Sequence, residues 1–240
     1  MADAALARTS AFEKKAPRHH AVVRVTHWIS ALCFLALAIT GANIVISHPR
    51  FYWGETGNVM TPALFELPIP ASRSYVKTGY DYVLPDQNGW SRSLHFQGAW
   101  VVVFTGLLYC VFGLRSRHFR HDLLPSRREI TPSTLRAAIA AHLRGKLPEQ
   151  ASYNVLQRIA YVSVVFVLFP LMIWTGLAMS PAVASVFPGI VTVFGGHQSA
   201  RTIHFVVSLL LLAFLVVHIA MVFRAGFRKQ IGAMITGRHT

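Results

Sequence analysis

The sequence predicts an all-α integral membrane protein, a bundle of four transmembrane helices with N and C termini in the cytoplasm. Three observations predict it. Of 240 residues, 53% are hydrophobic and only 13% are charged, where a soluble domain carries about a quarter charged. Four apolar stretches, at about residues 22–46, 95–114, 158–180 and 203–223, are each long enough to cross about 30 Å of hydrocarbon. The formal net charge of +14 is also one-sided. Eighteen Lys and Arg lie in residues 1–24, in 115–158 and beyond 223, against Arg50, Arg73, Lys77, Arg92 and Arg201 in the other connections. The positive-inside rule puts the richer side in the cytoplasm, and this distribution excludes a nucleic-acid partner in favour of membrane lipid.

The first stretch follows a basic tail, but it is too long for a secretory leader and no small-residue cleavage site closes a short apolar core. The outer loop 47–94 carries Trp53, prolines from Pro49 to Pro85 and the acids Glu55, Glu66, Asp81 and Asp86. It is too long for a mere connector, and it reads as a docking surface for an extracytoplasmic partner or as a cap packed on the bundle. In the inner loop, Thr131 can cap a short amphipathic helix with Leu135, Ile139 and Leu143 on one face, suited to the cytoplasmic membrane surface. Pro170 is expected to kink the third stretch. The whole, 1–240, reads as one membrane domain. Cys33 and Cys110 lie inside predicted spans and read as small buried hydrophobes. No C-x-x-C-H is present for covalent haem attachment.

Twelve histidines are present. His19, His20, His48, His118, His121, His142 and His239 fall in tails or loops, and His197 falls in the short outer loop. His27, His95, His204 and His218 fall within the spans, where an ionisable side chain is costly and is a functional candidate by default. His204 and His218 are fourteen residues apart, so they share a helical face about 21 Å apart along the axis. Depth then pairs His95 with His204 near the outer surface and His27 with His218 near the cytoplasm. Two imidazoles facing each other across a bundle are what a low-spin b-type haem requires, so the two pairs predict two haems b with these four histidines as axial ligands of the iron. Arg24, Arg92 and Arg201 each stand three residues before one of these histidines, in Arg-x-x-His-aromatic repeats. That spacing is suited to haem propionates, although arginine also marks span ends. Gly41, Gly98, Gly106 and Gly176 would let a flat macrocycle or another helix approach closely. The third stretch has no histidine. Its start, Tyr153, Asn154, Gln157 and Arg158, is dense in hydrogen-bonding groups at the depth of His27 and His218, and could receive a polar head group from the bilayer or serve as an interfacial anchor.

These residues resemble the bacterial four-helix di-haem cytochrome b subunits that accompany formate dehydrogenases, Ni-Fe hydrogenases and thiosulfate reductases. The resemblance covers nearly the whole chain. It implies ligands from the first, second and fourth spans as paired above, and it places the Tyr-Asn-x-x-Gln-basic segment beside a quinone pocket, which puts Asn154 and Gln157 on the quinone. The chain departs from formate dehydrogenase subunits in its longer first outer loop. There HPRFYWGETGN and LPDQNGWSRSLHFQGAW resemble the branch found with extracytoplasmic oxidoreductases of sulfite-oxidase type, which implies a molybdopterin-containing partner.

The function expected is therefore electron transfer across a bacterial inner membrane between the quinone pool and an extracytoplasmic oxidoreductase. Two alternatives compete. One is a stand-alone haem oxidoreductase acting on a small species such as superoxide, which a closed outer loop would hinder. The other is a metal or proton transporter, against which stands the lack of intramembrane Asp or Glu.

Overall fold

The computed structural model describes residues 19–58, 60–69, 88–126, 129–144 and 155–237. Among them, four helices are long and apolar enough to cross a membrane. Span one is α1 (Ala21–Ser47) and span two is α2 (Asn88–Arg115). Span three runs through α4 (Val155–Ser163), a π-helical turn (Val164–Leu168) and α5 (Phe169–Ala178). Span four is α8 (His197–Arg224). Between spans two and three lie a π-helical turn (Phe119–Leu123) and α3 (Pro132–Leu143); α6 (Pro181–Val186) and α7 (Gly189–Thr192) precede span four, and α9 (Phe227–Thr236) follows it.

The packing is that of two helical hairpins, span one on span two and span three on span four. Only 6% to 17% of each apolar stretch is buried inside the protein, and residues such as Leu32, Phe104 and Val216 face outward. Outward-facing leucine and valine along whole helices suit a lipid solvent rather than water. Among the described residues one buried cluster is Val164, Val207 and Leu211, with Phe34 of span one and Phe214 packed against it, and another is Ala178, Val191 and Ala200. Each helix satisfies its own backbone, as hydrocarbon demands.

Spans two and four begin about two turns earlier than their apolar content predicts. Hydropathy stops counting at polar residues, but the helical ladder continues through them. His95 therefore lies well inside a helix rather than at its start, and His197 is the first helical residue rather than part of a loop. Span three likewise starts at Val155. Pro170 sits just after the π-helical turn, where a widened ladder accommodates its ring and its missing N–H.

The first part of the long loop takes the self-packed form. Strands β1 (Arg50–Phe51) and β2 (Phe65–Glu66) pair antiparallel, Arg50 opposite Glu66 and Phe51 opposite Phe65. Phe51 is buried, stacked on Phe65 and on Phe205 of span four at ring centroids 4.7 and 4.3 Å apart. The orphan N–H groups at the start of span four are then satisfied from this loop. The Gly54 carbonyl accepts from Gln198 and Ser199 at 3.0 and 3.2 Å. The Glu55 carboxylate accepts from the His197 N–H at 3.2 Å, an anion where the helix dipole favours one. Gly196 has φ 121°, and a β-carbon there would run into the Gly54 carbonyl, so only glycine lets the two backbones meet. Thr202 donates to the Tyr52 carbonyl at 2.7 Å.

Ser199 is fully buried and accepts from the Gly54 N–H at 2.7 Å. Ser199→Ala strands that donor and is expected to destabilise the protein by about 1–3 kcal/mol. Thermal melting of the detergent-solubilised protein checks this; a midpoint equal to the parent's would show that the cap contributes nothing. Residues 70–87, the rest of the loop, lie outside the described residues.

Thr131 caps α3 as expected, accepting from the Thr134 N–H at 3.2 Å. The helix α9 was not foreseen from the sequence. It folds back onto the start of span one, where Arg24 donates to the Ile235 carbonyl and the Trp28 indole to that of Met234. Arg24 thereby satisfies a carbonyl in the last turn of α9. Below, the face holding the start of span one and the end of span four is the terminal face; the opposite one is the loop face.

Candidate functional site

One face of span four reads His204, Val207, Leu211, Phe214, His218, a histidine at each end of an apolar run. The depth pairing inferred from spacing is the pairing in space. The rings of His95 and His204 have centroids 6.4 Å apart near the loop face. Those of His27 and His218 are 6.3 Å apart near the terminal face. Imidazoles that share one metal, each with a nitrogen at about 2 Å, hold their ring centroids about 6 Å apart. The donor set fits an iron between each pair. His27 Nδ1 is buried with no hydrogen-bond partner among the described residues, so that nitrogen is not committed to a bond within the described protein.

The loop-face pair is built with an exact correspondence between the two hairpins. Thr40 of span one places Oγ1 3.0 Å from His95 Nδ1, and Thr175 of span three places Oγ1 2.9 Å from His204 Nδ1. Each threonine is followed by a glycine against the same ring: a β-carbon on Gly41 would lie 3.5 Å from His95 Cε1, and one on Gly176 3.4 Å from His204 Cε1. These two glycines let a helix backbone come up to an imidazole. Gly98 instead admits Leu37, and Gly106 has nothing close. Thr40 and Thr175 were missed from the sequence, although a Thr-Gly step in the spans preceding His95 and His204 was there to be seen.

The terminal-face pair is held differently. His218 stacks on Phe214 at 5.7 Å and lies edge-on to Tyr161 at 6.4 Å, and His27 lies edge-on to Trp28 at 5.3 Å. These contacts are aromatic and apolar.

The three arginines have diverged in use. Arg24 is tied to α9 as described, with its Nε buried and unpartnered among the described residues. Arg201 donates to the His48 carbonyl and to Gln198, and lies over the Phe51 ring at 5.0 Å, so it secures the loop to span four. Arg92 is exposed. Of the residues read at the start of span three, Tyr153 and Asn154 lie outside the described residues. Gln157 is in the first turn of α4. Arg158 is mostly buried and ion-paired with Glu129 at 3.4 Å. The Ser126 N–H, donating to Glu129 at 2.7 Å, holds that carboxyl below the usual carboxylate range, with Arg158 adding to the effect.

Comparison with known proteins gives the family. The family described as "Prokaryotic cytochrome b561" matches residues 18–237. A protein of Azospira oryzae named "Putative protein-methionine-sulfoxide reductase subunit YedZ1" is 30% identical over 227 residues, which is 91% of this chain and 96% of the relative. A match that takes in all four spans and all four span histidines settles the matter: the chain belongs to the prokaryotic cytochrome b561 family and is a multi-pass membrane protein that binds haem b and transfers electrons.

Proposed function

We propose that this protein is a di-haem cytochrome b that carries electrons between the quinone pool and an oxidoreductase docked on the extracytoplasmic face, with its termini in the cytoplasm. The observation that carries the reading is the pair of facing imidazoles at each end of span four, at nearly the same separation. Haem, when bound, supplies the one-electron chemistry. The chain supplies four nitrogen ligands from three helices and an apolar Val207–Leu211 segment between the two sites. Arg24 and Arg92 remain the basic side chains proposed for propionates, and Arg201 shares that role with securing the loop.

The partner is proposed from likeness. The Azospira relative is named as a subunit of a protein-methionine-sulfoxide reductase, and the first outer loop resembles the branch associated with molybdopterin enzymes. A reductase partner implies outward flow, from quinol to the partner. The loop face offers exposed Trp53, Met60 and Leu64 to such a protein. Quinone is placed at the start of span three, where Tyr153, Asn154, Gln157 and Arg158 would meet its carbonyls. Against the transporter reading, no group of three or more His, Cys, Asp or Glu is arranged for a metal ion among the described residues.

The test is haem stoichiometry. Pyridine haemochrome analysis of the purified intact protein is expected to give two haems b per chain; a value near one or zero overturns the di-haem reading.

A further inference from the structure

We propose that Thr40 and Thr175 are positioning residues for His95 and His204. Each accepts the Nδ1 proton of one ring, so both rings present a bare Nε2 to one iron, and the midpoint potential of that haem is lower than the same pair would give without them. The proposal rests on the reading that these two histidines hold one haem.

The proton count follows from the hydrogen bonds. A threonine hydroxyl has one proton. Thr40 Oγ1 lies 2.7 Å from the Ala36 carbonyl, and Thr175 Oγ1 lies 2.8 Å from that of Leu171, each one helical turn back. A carbonyl only accepts, so the hydroxyl proton is committed there. What each hydroxyl turns to the histidine at 3.0 and 2.9 Å is a lone pair, and only an Nδ1–H can meet it. Both rings are thus fixed in the tautomer with Nδ1 protonated.

Thr40 and Thr175 are 1% and 0% exposed, so water does not compete for these bonds. In such surroundings a hydrogen bond polarises its donor strongly. Donation from Nδ1–H makes Nε2 a more basic ligand, which favours ferric over ferrous iron and lowers the potential, since hydrogen bonding around the ligands is one of the protein's levers on haem. Thr40 and Thr175 both meet loop-face rings, whereas His27 Nδ1 at the terminal face has no partner among the described residues.

The experiment is an optical redox titration of the purified full chain. It compares the parent with Thr40→Val, Thr175→Val, Thr40→Ser and Thr175→Ser, and uses His204→Ala to assign the loop-face haem. Valine keeps the shape of threonine and removes the acceptor; serine keeps the acceptor. Each valine variant is expected to shift the ferric–ferrous equilibrium of the loop-face haem about tenfold towards ferrous, a midpoint rise of about 59 mV for a one-electron couple. The serine variants are expected to stay near the parent, and the other haem not to move. Loss of the loop-face haem in the valine variants with retention in the serine variants also supports the acceptor role. Parental midpoints in both valine variants, or serine behaving as valine does, overturn the proposal while leaving the haem assignment standing. Two haems remaining in His204→Ala overturn the assignment and the proposal with it.

Discussion

His204→Ala is expected to leave one haem where there were two and to abolish reduction or oxidation through a partner on the loop face, while quinol still reduces the remaining haem. The imidazole faces His95 at 6.4 Å between centroids, and alanine offers no donor in its place. The same helical face keeps Val207 and Leu211 in the core, so the helix itself should persist. His218→Ala is the mirror experiment and is expected to remove the terminal-face haem, and with it the route from quinol. Haem content and reduced-minus-oxidised spectra of both variants check the pairing. Two haems in either variant would show that the facing rings are not axial partners.

Loss of the quinone contacts is expected to have the next largest effect. Asn154→Leu and Gln157→Leu should each slow quinol-dependent haem reduction by about tenfold or more, because an unmet hydrogen bond costs about 1–3 kcal/mol and about 1.4 kcal/mol is a factor of ten. Haem spectra should be unchanged. Arg158, immobilised by Glu129, gives this end of span three a fixed polar side. Stopped-flow reduction by a soluble quinol analogue is the measurement, and parental rates in both variants would move the site, with the loop face near His197 the next place to look.

The bundle and the histidine pairing were legible because both follow from one-dimensional rules. Apolar length gives the spans, and a fourteen-residue interval on a 3.6-residue helix puts His204 and His218 on one face at opposite depths. The threonines were not legible in the same way. Thr40 lies 55 residues before His95, whereas Thr175 lies only 29 before His204, because the first hairpin carries the long loop. That inequality of loops hides the correspondence between the hairpins from any search at fixed period. The arginines show a different gap. Spacing brought Arg24, Arg92 and Arg201 under one motif, yet Arg24 meets the Ile235 carbonyl of α9 and Arg201 the His48 carbonyl of the loop. Those contacts depend on how distant segments fold back, which local spacing does not encode. The helix α9 escaped notice because its ten residues are too short and too mixed to stand out by hydropathy.

Because span four contributes one histidine to each pair, neither pair exists in a chain that stops before it. The same helix is tied to span one at both faces, through Gly54 and Glu55 at its start and through α9 beyond its end. During synthesis the first three spans can enter the membrane with His27 and His95 each still without its facing histidine. On the di-haem reading, neither site can close until span four has joined the other spans, and truncation upstream of His204 is expected to leave an inserted protein with neither histidine pair.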